Sequence, residues 1–452
     1  MRDELYSNLG FYNSAFIKMH VKTEESLHDF ANISLETEAT YFHEYIHFLQ
    51  DITTSYGLMN INNIVNYIKY TNDVILKDKV SEFEVPIQIQ ASSDHDVQAN
   101  WELKNIYLGS GEGLNDIAKF NSIYKSPTTI TTSKGEKKVD RVIFDFDDSL
   151  GRNHKYAIGA YCISESMAYT MENLAYPGVL PVPNKLPYES VKIICDILYP
   201  GFSSNPLNII AICDACMMLF NPGIYLYDAL VEMAKNSFNY SDPGNIYQHI
   251  YSKTKFKYNG HTTIQQLLIS QGALAINQLS DYFTTPHFRD NKMWINYVIS
   301  SGIDLRITHP YLMIEIALNG KILSERISET GRTIESIFFN EIRHKLGSPL
   351  VVNDSFEMTF NSTSFKDFDV LPEYFWAINQ VYKIYSKPLN NGTYKCEMIE
   401  WCNNSCADQG IEEYTDERCR NAPWERAKDS DPNPCTFGRL WKSWGLMNEY
   451  PV

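Results

Sequence analysis

Residues 34–57 read SLETEATYFHEYIHFLQDITTSYG and contain the pattern H-E-x-x-H at His43-Glu44-Tyr45-Ile46-His47. Ser34 followed by Glu36 and Glu38 predicts a helix start, a capping hydroxyl with acidic residues in the first turn. On a helix, residues four apart share a face, so His43 and His47 can point at one metal ion. Glu44 sits about 100° round the helix from His43, placed to hold a water rather than to ligate. Tyr41, Phe42, Tyr45, Ile46, Phe48 and Leu49 fill a broad apolar arc. Thr40, His43, Glu44, His47, Gln50, Asp51 and Thr54 fill the opposite one. That polar stripe holds no Lys or Arg, so it predicts a buried helix facing a cleft rather than a solvated face with two ordinary histidines.

Two imidazoles alone hold zinc poorly, and a catalytic site normally adds a third protein ligand. No histidine follows in the H-E-x-x-H-x-x-G-x-x-H spacing. The candidate is a carboxylate in CISESMAYTMEN, residues 162–173, where Glu165, Tyr169 and Glu172 fall at i, i+4 and i+7 of a predicted helix. The rest of that helix is small or apolar, and a buried stripe with two glutamates needs a cation nearby. Glu165 is expected as the third ligand and Glu172 as the acceptor for a ligand imidazole N–H, with the reverse assignment open.

The two motifs together resemble the gluzincin branch of the zinc metallopeptidases. The resemblance covers only these two helices. It implies that His43, His47 and Glu165 bind Zn2+ and that Glu44 is the general base of peptide-bond hydrolysis. The interval between His47 and Glu165 is longer than that family commonly has, so residues 84–158 are expected as a β-rich insertion in a zincin-like catalytic region. A donor to the oxyanion is expected from Tyr169 or from His309, which lies in RITHPYLMIEIAL before a helix-opening proline. Arg306, nearby in sequence, is a candidate for a substrate carboxylate.

Composition bounds the rest. The chain has 452 residues, is 44% hydrophobic and 21% charged, and carries a formal charge of −16. That is enough for a large core and argues against nucleic acid or an anionic membrane as partner. A protein or peptide substrate is expected, and the sequence names no regulatory partner. No basic segment followed by an apolar run opens the chain, and the most apolar window, residues 207–220, is short and contains Asp214. A cytoplasmic protein is expected.

The fold class expected is α+β, dominated by helix. Residues 1–186 read as the catalytic region. FYNSAFIKMHVKT (11–23), VPIQIQ (85–90), TTITTS and KKVDRVIFDFDD read as strands. A proline-rich linker, PGVLPVPNKLP, occupies 177–187. Residues 187–346 read as helices, and 347–452 as a C-terminal region with a Cys- and Trp-rich tail.

Other motifs are weaker. Cys396, Cys402, Cys406, Cys419 and Cys435 could hold a structural metal, form disulfides or stay free, and they lack a clean C-x-x-C pair. Cys213-Asp-Ala-Cys216 reads as core thiols. His95 and Asp145-Phe-Asp147-Asp148 read as solvated loop, and GSGEG (109–113) as a turn without the lysine of a phosphate loop. Two rival functions remain open: a non-catalytic interaction protein on a zincin-like fold, and a zinc hydrolase acting on another bond.

Overall fold

The computed structural model describes residues 4–6, 9–28, 32–78, 81–89, 95–253, 263–319, 337–360, 369–407, 415–428 and 435–452. It is a helix-dominated α+β protein with three small sheets. The H-E-x-x-H helix spans Leu35–Thr53 and is buried from Thr37 onward. Ser34 caps it, its hydroxyl accepting from the Thr37 N–H at 3.2 Å.

A five-stranded sheet lies on one side of this helix. The segment expected as one strand over 11–23 is two, Gly10–Asn13 and Lys18–Val21, paired antiparallel. Ala15 and Ile17 in the turn between them take positive φ, 68° and 49°. The turn is pinned to the motif helix, where Asp51 accepts from the Ala15 N–H at 2.9 Å and from the Tyr12 hydroxyl at 3.1 Å. Glu4–Tyr6 pairs beside Gly10–Asn13. On the other side Lys18–Val21 pairs parallel with Leu350–Asn353, which pairs with Met358–Thr359. The sheet thus joins the start of the chain to residues beyond 347. Glu82–Phe83 likewise pairs with Tyr450–Pro451. One continuous apolar core runs from Tyr12 to Leu446, across all three regions read from the sequence.

The motif helix ends at Thr53. Thr54 is extended, and its hydroxyl donates to the Gln50 carbonyl at 2.6 Å and accepts from the Gly57 N–H at 3.0 Å. The next helix, Ser55–Asp78, folds back at once. Gly57 permits this: a Cβ there would stand 2.5 Å from the Asp51 backbone.

Lys119–Thr132, Gly135–Asp147 and Asn153–Ile158 form an antiparallel sheet, as the β-rich reading expects. Three expectations in that region fail, the first being the loop reading of Asp145-Phe-Asp147, which lies in the strand Gly135–Asp147. Residues 85–89 form no strand; Pro86 has no N–H to give a ladder. His95, read as loop, opens the helix His95–Leu108. Residues 90–94 lie outside the described residues. The helix Ala160–Ala175 follows the third strand directly and packs against the motif helix. Among the described residues no helix is long and apolar enough to cross a membrane.

Candidate metal centre

His43, His47 and Glu165 meet where the two motif helices cross, and all three are buried. His47 Nε2 lies 3.2 Å from His43 Nε2. Glu165 Oε2 lies 3.3 Å from His43 Nε2 and 3.5 Å from His47 Nε2. Ligands held at about 2.0–2.1 Å in a tetrahedron stand roughly 3.3–3.4 Å from one another. The spacing therefore matches three corners of a tetrahedral ion site.

The outward nitrogens fix the tautomers. His43 Nδ1 is 2.8 Å from Glu172 Oε2 and His47 Nδ1 is 2.8 Å from Gln50 Oε1. Gln50 is itself oriented, donating from Nε2 to the Ser164 carbonyl at 3.1 Å. A carboxylate and an amide oxygen only accept, so each Nδ1 carries a proton. In a neutral imidazole each Nε2 is then a lone pair. Two such lone pairs and a carboxylate oxygen face one another with no donor between them. The other Glu165 oxygen, Oε1, is buried without a hydrogen-bond partner. Buried acceptors in this arrangement are costly unless a proton or a metal ion lies between them.

The electrostatics agree. Burial alone would lower the His43 pKa, yet its hydrogen bonds to Glu165 and Glu172 and the charge of Glu44 carry it well above the usual imidazole value. Burial alone would raise Glu165, yet the charge of His47 and the hydrogen bonds to both histidines hold it below the ordinary carboxylate range. The pocket favours positive charge, supplied by protons or by a metal ion. Two nitrogens and one carboxylate are a donor set that suits Zn2+ and leaves a position open. This is the one such ligand group among the described residues.

Glu44 projects beside His43, under the strand Gly10–Asn13. A Cβ on Gly10 would lie 2.9 Å from Glu44 Oε1, so glycine lets the strand approach the carboxylate. A small cavity of about 20 Å³, room for roughly one water, adjoins His43 and is walled by Leu9, Leu180, Pro181, Pro183, Tyr169 and Tyr188. The cavity also touches Glu172, so the proline-rich segment and the residue before the second strand cover the side of His43 that faces Glu172.

Tyr169 lies in that wall, its ring 5.9 Å from that of Tyr188. Tyr188 was not singled out by sequence. Its ring centroid is 6.3 Å from that of His43. Burial, then the charges of Glu165, Glu44 and Glu172, push its phenol far above the usual range, so it stays protonated. The available signal was its place at the end of the proline-rich linker. Gln50 was visible on the polar stripe, three residues after His47, but carried no assigned role.

The structure does not bring Arg306 and His309 to this centre. Arg306 is buried and engaged, with Nη1 and Nη2 on Asp214 at 2.6 and 2.8 Å and Nε on the Thr53 carbonyl at 3.1 Å. The Tyr247 hydroxyl completes the cluster on Asp214 at 2.8 Å. His309 caps the end of the helix Arg289–Thr308 rather than opening the next one, and its Nδ1 lies 2.6 Å from Glu315.

In the tail, Cys396, Cys402, Cys419 and Cys435 stand in no disulfide, and among the described residues no three of them converge as metal ligands. The Cys406 side chain lies outside the described residues. No family model, curated protein or solved structure shows a significant match to the chain.

Proposed function

We propose that this chain is a zinc-dependent metallopeptidase, hydrolysing peptide bonds in a protein or peptide substrate. The observation that carries the reading is the convergence of His43 Nε2, His47 Nε2 and Glu165 Oε2 at tetrahedral spacing, with Glu172 and Gln50 behind the imidazoles. The likeness to gluzincins remains a likeness of two helices.

A bound zinc ion would supply a Lewis acid and bring the pKa of a water towards neutrality. The chain's own residues do the rest. Glu172 and Gln50 hold the imidazoles in the ligating tautomer. Glu44, beside the ligands, takes a proton from the attacking water and passes it to the leaving nitrogen. Tyr188, kept protonated by its buried and acidic surroundings, donates a hydrogen bond to the developing oxyanion. It takes the role for which Tyr169 or His309 was the expected candidate; Tyr169 packs against its ring. The apolar wall of Leu9, Leu180, Pro181 and Pro183 beside His43 and Glu172 keeps bulk water from that side of the centre, which strengthens the interactions there.

The test compares purified wild type with Glu44→Gln. Both are expected to retain one zinc, and only the wild type is expected to release new termini from a proteome-derived peptide library. Equal cleavage by the two would overturn the role of Glu44. Absence of zinc from both would overturn the metal reading.

A further inference from the structure

The tail cysteines play no part in the centre, yet two of them are set opposite each other. The Tyr394 N–H donates to the Asn421 carbonyl at 2.8 Å, and the Cys396 N–H donates to the Cys419 carbonyl at 2.8 Å. The accepting carbonyls belong to the helix Glu417–Asn421, and the Cys419 N–H turns back to the Asp416 carbonyl at 3.0 Å, so the bonds run one way, from residues 394 and 396 to the helix. Standard backbone bond lengths put the Cα atoms of two residues joined by an N–H···O bond of 2.8 Å at most about 6.7 Å apart. A disulfide spans about 4.4–6.8 Å between Cα atoms. Both side chains are buried, so neither is dispersed in solvent. The third buried tail thiol, Cys435, also lies within electrostatic reach of Cys396 and Cys419, but its Sγ caps the helix Thr436–Ser443, accepting from the Gly438 N–H at 3.4 Å.

We infer that Cys396 and Cys419 are a redox-modification site, closing to a disulfide under an oxidising thiol poise and tying residues 394–396 to the helix Glu417–Asn421. The oxidant is a small disulfide of the glutathione class. One cysteine thiolate attacks the oxidised glutathione, forming a mixed disulfide and releasing one glutathione thiolate. The second cysteine thiolate attacks the protein sulfur of that mixed disulfide and releases the other. Two protein thiols are oxidised to one S–S bond, and one glutathione disulfide is reduced to two thiols that keep the two protons.

Burial pushes the Cys396 thiol up to about 12, so its thiolate is scarce and closure is slow. That is the behaviour of a structural staple rather than of a catalytic thiol. Its consequence lies in anchoring. Glu397, next to Cys396, accepts from Lys383 at 2.9 Å and from Trp376 at 3.2 Å, and its N–H donates to Gln380 at 2.7 Å. These three residues lie on the helix Glu373–Ser386, which packs on the five-stranded sheet. A closed bond holds the tail on that helix.

The test equilibrates the full chain with excess oxidised glutathione, quenches with an alkylating agent and maps peptides by mass spectrometry without reduction. The expected product joins the Cys396 and Cys419 peptides, with a thermal midpoint raised by a few degrees and reversed by dithiothreitol. Cys435→Ser is expected to keep the bond, and Cys396→Ser and Cys419→Ser to lose it. A bond to Cys435 instead, or full alkylation of both thiols after equilibration, would overturn the assignment. Mapping of the wild type decides this even if a variant does not fold.

Discussion

His43 Nδ1 stands 2.8 Å from Glu172 while its Nε2 faces Glu165 at 3.3 Å, so two glutamates seven positions apart on one helix hold the two nitrogens of one imidazole. The helix Ala160–Ala175 is what sets both distances. One carboxylate reaches the interior of the cluster and the other fixes the ring from behind.

Metal content should rank these roles. Glu165→Gln and His47→Ala are expected to lose stoichiometric zinc on dialysis. Glu172→Ala and Gln50→Ala should keep it but bind about 10–100-fold more weakly, the usual cost of removing an orienting partner. Competition with a chromogenic chelator measures this. Equal loss in Glu172→Ala and Glu165→Gln would mean that Glu172 ligates directly.

Tyr188→Phe is expected to lower kcat by roughly 10²–10³ with little change in KM, the magnitude of a lost oxyanion donor. Tyr169→Phe should change kcat far less, since its ring and its packing against Tyr188 remain. Steady-state kinetics on any cleaved peptide checks the pair, and zinc content should be unaltered in both.

Arg306→Ala should destabilise the fold by about 3–5 kcal/mol, because it strands the buried Asp214 carboxylate. Replacing both by apolar residues, Arg306→Met with Asp214→Leu, should cost much less than the single change. Denaturant unfolding followed by circular dichroism measures the difference. If Arg306 instead bound substrate, the single variant would unfold like wild type and show only a raised KM.

Asp51 predicts a pH effect on stability. Burial raises its carboxyl from 3.8 to about 7, against the hydrogen bonds from Ala15 and Tyr12. Between these values the folded state holds a proton that the unfolded state has lost. Its contribution is therefore full below about pH 4 and disappears as pH rises through about 7. Relative to wild type, Asp51→Asn should gain stability on moving from pH 5 to pH 8. Thermal melts across that range test it, and a pH-independent difference would contradict the raised value.

Much of the centre was legible because helical spacing carries it. His43 and His47 at i and i+4, with Glu165 and Glu172 at i and i+7, follow from the turn of a helix alone. The helix-dominated α+β class and the β-rich stretch before Ala160 were legible for the same reason, from periodicity. Two of the failures were local: Pro86 interrupts an alternating run, and a polar segment near His95 opens a helix that periodicity does not mark.

The sequence by itself determined which side chains share a face, since that depends on neighbours within a few residues. Only the tertiary structure decided which faces meet. It set the two motif helices against each other across the whole β-rich stretch and drew Tyr188 towards His43. It paired Arg306 with Asp214 in the buried core and joined Lys18–Val21 to Leu350–Asn353 in one sheet. These are contacts between residues far apart in the chain. They are chosen by burial of a common core and by the need of each buried polar group for a partner, neither of which a local pattern encodes.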